Sequence, residues 1–278
     1  MIAQGLSRKI SIATKIAALV PAFLIGLPAQ WLALKLAPPL SRWMPVYFHR
    51  YVLFVMGVKV TRVGALEPGR PVLIVSNHLS WLDILVISSL LPVSFIAKSE
   101  VGEWPLFGTL ARLQRSIFVE RQRRGKTGEV NKKIASRLNE GDALVLFAEG
   151  TTSDGTRVLP FRSALIGAAQ AATGVSGTTS YLQPLNIAYP RIGGLPTGRV
   201  NHPHLGWYGD MDLLPHLSDF LTLPNVDCQV AFLPAHVVTS QTDRKALTRQ
   251  IETEIRASHA ATLTGRSGPQ PENTAKLA

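Results

Sequence analysis

The sequence predicts an α/β fold: a mixed, largely parallel sheet flanked by helices, preceded by an N-terminal membrane-associating helical segment. Two observations predict it. Short apolar runs alternate with amphipathic stretches after residue 60, the pattern of strands and helices around a parallel sheet. Before them, Lys15 and Lys35 bracket nineteen uncharged residues. We divide the chain into a membrane-associating segment at 1–60, an α/β domain at 61–260 and a tail at 261–278, whose polar, turn-forming residues predict disorder.

The uncharged N-terminal run, "IAALVPAFLIGLPAQWLAL", predicts membrane association. As a helix it would span roughly 28 Å, close to the hydrocarbon thickness of a bilayer. Pro21, Pro28 and Gln30 interrupt it, so a kinked, re-entrant or interfacial segment fits as well as a straight span. The next apolar run, "RWMPVYFHRYVLFVMGVKV", combines aromatic residues with arginines, as an interfacial belt does. A cleaved signal peptide and a buried soluble helix are the alternatives.

The α/β domain contains six predicted strands and five predicted helices. The strands are the apolar runs at 72–76, 94–97, 116–120, 143–148, 182–189 and 226–233. The helices are the stretches at about 82–91, 104–113, 126–140, 161–172 and 242–259. Ligands of such folds bind at the carboxyl ends of the strands, so residues that directly follow a strand are the candidates for a functional site.

Composition limits the classes of partner and the cellular compartment expected for this protein. A single cysteine, Cys228, excludes an intramolecular disulfide framework and favours a reducing compartment. The formal charge of +11 indicates an acidic partner, which could be nucleic acid, an anionic membrane face or an acidic carrier or substrate. No recognition motif accompanies the charge, so we expect no nucleic-acid partner. The basic stretch from Arg112 to Arg137 can be a solvated helix face or a contact with anionic lipid or an acidic carrier.

The stretch "SNHLSWLD" places a histidine directly after the first strand of the domain and an aspartate at the start of the next helix. Asp83 can accept a hydrogen bond from one imidazole nitrogen of His78, so that the other nitrogen takes a proton from a hydroxyl group. Ser80 is the expected N-cap of the helix. The alternative is a loop histidine and a helix-capping charge without catalytic roles.

A second motif, "FAEGT", follows a second strand. It places Glu149, Gly150 and Thr151 in a strand-to-loop turn, which can present backbone N–H groups and hydroxyls to an anion, with Glu149 bracing the loop. Phe161 and Arg162 are expected to open the helix that follows. Two strand ends would then contribute to one site.

These motifs resemble those of the glycerolipid acyltransferases, the lysophosphatidic-acid acyltransferase family. The first block of the family is His, four residues and Asp, matched by His78 and Asp83, and its third is Phe-Pro-Glu-Gly-Thr, matched at 147–151. "AKSEVGEWPLFG" (97–108) is similar to the Lys-x-Glu…Pro-x-x-Gly segment. "SIFVER" (116–121) is similar to the Gly-x-x-Phe-Ile-Asp-Arg block, and "LQPLNIAY" to the final Val-Pro-Val strand. The resemblance covers roughly residues 45–235.

The resemblance implies that His78, oriented by Asp83, deprotonates an acceptor hydroxyl, which attacks the thioester of acyl-ACP or acyl-CoA without a metal or another cofactor. The expected partners are membrane lipids, a lysolipid acceptor and the acyl carrier. The expected location is the inner membrane, with the active site facing the cytoplasm. The residues expected to contact substrate are Asn77 as an oxyanion donor, Glu149, Gly150 and Thr151 around the acceptor, and Lys98, Arg121 and Arg162 as anion contacts.

The position after Glu-Gly-Thr bears on the acceptor. Thr152 stands where phosphatidic-acid-forming members usually carry an arginine, a natural phosphate ligand. "FAEGTTSDGTRVLPFRS" and "WYGDMDLLPHL" resemble the bacterial branch that contains lyso-ornithine lipid acyltransferases, so we expect lyso-ornithine lipid as the acceptor. A 1-acylglycerol-3-phosphate acceptor, with Arg157 or Arg162 replacing the missing arginine, is the first alternative. A non-catalytic membrane lipid-binding or tethering protein is the second.

A cluster of histidines and aspartates between residues 202 and 216 is a weaker candidate for a site. Its members are His202, His204, Asp210, Asp212 and His216. Histidine and carboxylate suit several divalent ions, but this spacing matches no standard metal signature, so we expect no metal site here.

Overall fold

A computed structural model of the protein describes residues 2–68, 72–120, 127–163, 169–170, 180–266 and 274–276. The helices are α1 (Ile2–Leu36), α2 (Pro38–Met56), α3 (Leu82–Leu90), α4 (Phe107–Leu113), α5 (Thr127–Asn139), α6 (Gly198–Asn201), α7 (Leu213–Phe220) and α8 (Arg244–Thr264). The strands are β1 (Val58–Val63), β2 (Val72–Ser76), β3 (Val93–Lys98), β4 (Ile117–Val119), β5 (Ala143–Phe147), β6 (Ser180–Ile192), β7 (Leu195–Pro196), β8 (Val226–Phe232), β9 (His236–Val238) and β10 (Thr274–Lys276). Short 3₁₀ turns cover Ser99–Glu103 and His202–His204.

The strands form one mixed sheet in the order β10-β1-β8-β6-β2-β5-β3-β4, with β7 and β9 pairing to β6. Strands β6, β2, β5, β3 and β4 are parallel neighbours, and β1 is parallel to β8. The pairs β6–β8 and β1–β10 are antiparallel. The predicted α/β fold with a largely parallel sheet is confirmed, and each of the six predicted strands is present.

Buried apolar side chains form two clusters. One joins α2 and α3 to the sheet through residues such as Leu53, Leu82 and Val86. The other joins α5 and α8 to the sheet through residues such as Ile134, Leu138 and Ile251.

Helices α1 and α2 pack against each other at the N-terminus. The Tyr51 hydroxyl donates a hydrogen bond to the carbonyl of Ala18 at 2.9 Å, and the rings of Phe23 and Phe48 meet edge to face. Helix α1 continues through Pro21 and Pro28. Its stretch Ile12–Leu36 is long and apolar enough to cross a membrane by length and composition, and its apolar side chains are largely exposed.

The second apolar run does not form a membrane belt along its whole length. Helix α2 ends at Met56, Gly57 adopts a left-handed conformation with φ +76°, and strand β1 begins at Val58. Val52, Leu53 and Met56 are buried in the core that α3 shares. One face of α2 is therefore part of the α/β core, and the predicted boundary at residue 60 falls inside β1. The division into domains stays a prediction.

Three predicted helices begin or end elsewhere. Helix α4 begins at Phe107, because the backbone at Leu106 has a φ of +62° and cannot continue a helix from residue 104. Residues 161 and 162 are not helical, and most of the predicted 161–172 helix lies outside the described residues. Helix α8 extends to Thr264, and β10 pairs with β1 inside the expected tail.

Candidate active site

The site lies at one edge of the sheet because parallel strands place their carboxyl ends together. His78 stands two residues after β2, and Glu149 stands two residues after β5, which pairs with β2. Lys98 is the exposed last residue of β3, the next strand. The fold thus brings three predicted site residues from separate parts of the sequence to one sheet edge.

His78 and Asp83 form a hydrogen-bonded pair. The Nδ1 atom of His78 lies 2.8 Å from Oδ2 of Asp83. The Asp83 side chain is fully buried, whereas 16% of the His78 side chain is exposed. An ionised carboxylate only accepts hydrogen bonds, so Nδ1 carries the proton and Nε2 is left with its lone pair. This tautomer is the one that a general base requires.

The Asp83 carboxylate accepts three further hydrogen bonds. The backbone N–H groups of Leu79 and Ser80 donate to Oδ2 at 2.7 and 2.9 Å, and the hydroxyl of Tyr189 donates to Oδ1 at 2.6 Å. These donors compensate a buried charge that would otherwise be costly. Burial and the neighbouring Asp83 carboxylate raise the pKa of Tyr189, which keeps its hydroxyl protonated as a donor.

The predicted N-cap at Ser80 is wrong. Its hydroxyl is buried and makes no hydrogen bond among the described residues. The first turn of α3 is instead held by the Asp83 carboxylate, which bonds back to the N–H groups of Leu79 and Ser80. The residue that orients the imidazole therefore also fixes the loop that carries it.

The His78 imidazole lies flat against an aromatic ring. Its centroid is 3.7 Å from that of Phe147, with the two planes 8° apart, and Phe147 stacks in turn on Phe95. This stack restricts rotation of the imidazole and leaves the Asp83 hydrogen bond as its orienting polar contact. Phe147 thus has a role in placing the base.

Glu149 braces the backbone around the histidine. Its Oε1 atom accepts the N–H of His78 at 2.9 Å, and its Oε2 atom accepts the N–H of Leu159 at 3.1 Å. Ser153 completes the brace, because its N–H and hydroxyl donate to the carbonyl of His78. Burial raises the pKa of Glu149 to about 8, opposed by its two backbone hydrogen bonds. The prediction that Glu149 braces the loop is confirmed by these contacts.

Two glycines let the loop after β5 approach the histidine. Gly150 and Gly155 have φ values of +74° and +76°, which side-chain-bearing residues rarely adopt. A Cβ atom on Gly155 would lie 2.4 Å from Leu79 Cδ2. The Gly155 carbonyl accepts a hydrogen bond from Nε2 of His259 at 2.9 Å, which ties the loop to α8. Backbone geometry therefore requires glycine at both positions.

Asn77, predicted as a substrate contact, also has a structural role. The Asn77 side chain is buried, and its Nδ2 and Oδ1 atoms pair with the C=O and N–H of Ile187, both at 2.9 Å. Its amide joins the loop to β6, and the oxyanion role of Asn77 stays a prediction. The side chains of Thr151 and Arg162 are exposed and Thr152 is half-buried, and Arg162 donates its backbone N–H to Ala148. Their substrate contacts stay predictions, and Arg121 lies outside the described residues.

The histidines between residues 202 and 216 lie behind the catalytic loop. His216 accepts a hydrogen bond from Trp81 Nε1 at 3.1 Å, and the backbone N–H of Trp207 donates to Leu79. His202 Nδ1 would lie 3.0 Å from a Cβ atom on Gly155. In the part of the chain that the structure describes, no group of three or more His, Cys, Asp or Glu is placed to hold a metal ion.

Sequence reasoning missed Tyr189, Ser153 and His259 as parts of the site, and it matched Phe147 to a motif without giving it a role. Tyr189 lies four residues beyond Leu185, which pairs with the last residue of β2, so strand register brings it beside the loop. The available signal was a tyrosine near the carboxyl end of a predicted strand. His259 gives no such signal, because only the packing of α8 on the sheet brings it to Gly155.

At the strand ends of this α/β sheet, a buried aspartate orients a histidine. This arrangement is that of an enzyme that uses histidine as a general base. Comparison with known proteins specifies it further. The family model described as Acyltransferase matches residues 57–188. The chain is 50% identical over 256 residues to the lyso-ornithine lipid O-acyltransferase of Brucella abortus, covering 92% of this chain and 96% of that protein.

A second relative supports the same family, and a solved structure shares the fold. The lyso-ornithine lipid O-acyltransferase of Rhizobium meliloti is 43% identical over 250 residues, covering 90% of this chain and 86% of that protein. The crystal structure of the 1-acyl-sn-glycerophosphate acyltransferase of Thermotoga maritima shares the fold, with a TM-score of 0.64 at 17% identity and coverage of 94% and 99%. This chain belongs to the acyltransferase family and is an acyl-transferring enzyme, as the motifs predicted.

Proposed function

We propose that the protein is a lyso-ornithine lipid O-acyltransferase. It transfers a fatty acyl group from the thioester of an acyl carrier to the free hydroxyl of the lysolipid. The observation that carries the chemistry is the 2.8 Å hydrogen bond between His78 and the buried Asp83. Relatives named for this reaction, at 50% and 43% identity over most of their lengths, support the acceptor.

The proposed proton transfer follows from the tautomer. Nε2 of His78 takes the proton of the lysolipid hydroxyl as the oxygen attacks the thioester carbonyl carbon. The imidazolium is stabilised by Asp83, whose charge is held in place by Tyr189 and two backbone N–H groups. The tetrahedral intermediate collapses with cleavage of the carbon–sulfur bond, and the leaving thiolate takes the proton back from His78. No covalent enzyme intermediate is formed.

The acceptor headgroup is proposed to lie beside the loop after β5. Thr152 is half-buried there and offers a neutral hydroxyl in place of the bidentate donor that a phosphomonoester favours. An ornithine headgroup carries both an ammonium and a carboxylate, so it does not require a strong excess of positive charge. Lys98 lies at the same sheet edge, and we propose that its ammonium group contacts the carboxylate of the headgroup.

A 1-acylglycerol-3-phosphate acceptor is the second candidate. A relative in Neisseria meningitidis named 1-acyl-sn-glycerol-3-phosphate acyltransferase is 31% identical over 199 residues, covering 69% of this chain. Arg157 and Arg162 lie in the segment after β5, and both are exposed. They are the proposed phosphate contacts for this acceptor.

The acyl donor, acyl-ACP or acyl-CoA, and the inner-membrane location with a cytoplasm-facing site are parts of the same proposal. The exposed apolar face of α1 supports membrane association. The net charge of +11 suits both an anionic membrane face and an acidic carrier protein.

Competition between the two acceptors tests the proposal. Purified enzyme receives an acyl donor with equal concentrations of lyso-ornithine lipid and 1-acylglycerol-3-phosphate, and both products are measured by mass spectrometry. We expect ornithine lipid to dominate, and Thr152→Arg to shift the ratio of kcat/KM values toward the phosphate acceptor by about tenfold, since a charge-assisted hydrogen bond contributes roughly 1.5–3 kcal/mol. Thr253→Arg, which adds the same charge at an exposed position on α8, is the matched control. Dominant phosphatidic acid from the wild type, lost in Arg162→Ala, would establish the second candidate instead.

A further inference from the structure

Three arginines converge on one carboxylate at the opposite end of the sheet from His78. Arg42 Nη2 lies 3.2 Å from Asp142 Oδ1, and Arg115 approaches both carboxylate oxygens at 3.3 and 3.1 Å. Arg137 Nε bonds to Oδ2. Asp142 directly precedes β5, whose other end leads to Glu149, so roughly 16 Å of strand separates this Asp142 cluster from the active site.

The Asp142 cluster carries two more positive charges than negative ones. A carboxylate offers about four acceptor sites, and four guanidinium nitrogens already contact Asp142, so it is saturated. Arg137 also donates to Ser94 Oγ and to the Arg115 carbonyl. Arg42 and Arg115 are 42% and 30% exposed, so their remaining donors are available to an anion from outside.

Arg115 occupies a backbone conformation that favours glycine. Its φ is +59°, and it stands two residues after the end of α4, where a glycine commonly terminates a helix. An arginine at such a position costs conformational energy, and its side chain is aimed at Asp142. The strain therefore accompanies a guanidinium held in a fixed orientation.

A cavity of about 280 Å³ lies against the Asp142 cluster. Its lining includes Ser41, Arg42, Trp43, Leu66, Arg115 and Asp142. Trp43 is exposed, as are Leu40 and Tyr47 on the same helix. Residues at spacings of three and four lie on one helix face, so the cavity adjoins the exposed apolar surface of α2.

We propose that this cavity binds a phosphate group, supplied by the headgroup of an anionic membrane lipid or by a free phosphate. The planar guanidinium fork matches phosphate oxygens, and the two surplus positive charges favour an anion over a neutral group. The volume suits a small headgroup, while the acyl chains of a lipid would lie along the apolar surface of α2 beside Trp43. This site is separate from catalysis and does not rest on the proposed function.

Two binding measurements on the full-length protein test the site. Flotation compares phosphatidylcholine vesicles with vesicles that also contain phosphatidylglycerol, and thermal unfolding compares inorganic phosphate with chloride at matched ionic strength. Arg42→Gln removes the most exposed arginine and leaves two on Asp142. Arg249→Gln is the control, because it makes the same charge change on the exposed surface of α8. Arg115→Asn is a second variant, since asparagine tolerates a positive φ.

We expect Arg42→Gln to lower the preference for phosphatidylglycerol vesicles about fivefold and Arg249→Gln to leave it unchanged. If phosphate raises the thermal midpoint of the wild type and of Arg249→Gln but not of Arg42→Gln, free phosphate also occupies the site. A lipid effect without a phosphate effect assigns the site to headgroups alone. If Arg42→Gln and Arg115→Asn both match Arg249→Gln in both measurements, the cluster only joins α2, α4 and α5, and the proposal is overturned.

Discussion

The hydroxyl of Tyr189 donates a 2.6 Å hydrogen bond to Oδ1 of Asp83, the carboxylate that orients His78. Both side chains are fully buried, and Tyr189 comes from β6, more than a hundred residues along the chain. Tyr189 therefore acts on His78 through Asp83. It is a positioning residue and does not contact the reacting atoms.

Replacing Tyr189 by phenylalanine should lower kcat/KM about tenfold while keeping the ring in the core, since a hydrogen bond to a charged group contributes roughly 1.5–3 kcal/mol. The acidic limb of the pH profile should move to higher pH, because an Asp83 carboxylate with one donor fewer attracts the imidazolium proton more strongly. Tyr181→Phe is the control, since Tyr181 pairs with Val72 at the far end of β2. An unchanged pH profile of kcat/KM in Tyr189→Phe would mean that this hydrogen bond has no role in catalysis.

Glu149 should make stability depend on pH. Its folded-state pKa of about 8 exceeds the ordinary value of 4.5, so between these values the folded state keeps a proton that the unfolded state has released. Stability contributed by Glu149 therefore falls as pH rises through this window, by at most about 1.4 kcal/mol per pH unit, and levels off above pH 8.

The variant Glu149→Gln isolates this effect, because glutamine does not titrate. Burial lowers the pKa values of His202, His216 and His259, so these groups give the opposite slope below pH 6.5 and are common to both proteins. We expect the thermal midpoint of the wild type to fall relative to that of Glu149→Gln between pH 5 and pH 8. Parallel curves would mean that Glu149 is ionised throughout. Glu149→Gln should also lose activity, because its amide cannot accept both backbone N–H groups.

The exposed apolar face of α1 should bind membranes. Leu24 and Ile25 are 70% and 71% exposed, and lysine in their place is costly at membrane depth. The double variant Leu24→Lys, Ile25→Lys should reduce flotation with uncharged phosphatidylcholine vesicles at least about tenfold. The double variant Val200→Lys, Leu214→Lys, at residues 87% and 72% exposed on α6 and α7, is the matched control. Equal flotation of the two variants would exclude this face as the membrane contact.

Much of the fold and part of the site follow from local sequence patterns. The six predicted strands are rich in apolar residues, and the His78–Asp83 contact needs only the turn between β2 and α3. β1 was missed because its "VKVTRV" follows an apolar helix without a polar break, although Gly57 marks the boundary. The pairing of the Asn77 amide with Ile187 was not predicted, because an amide after a strand can face either the substrate or a neighbouring strand. Tyr189 and His259 depend on strand register and on helix packing, which local patterns do not contain.

The most direct test of the central claim is the turnover of purified His78→Ala with lyso-ornithine lipid and an acyl donor. The account predicts a loss of at least about a hundredfold relative to the wild type, with a thermal midpoint close to the wild-type value, because the variant removes the general base and leaves the Asp83 contacts to Tyr189 and the backbone. His236→Ala, at a histidine bonded to Glu254 near the other end of β6, should keep full activity. A folded His78→Ala protein that forms ornithine lipid at the wild-type rate would contradict the account.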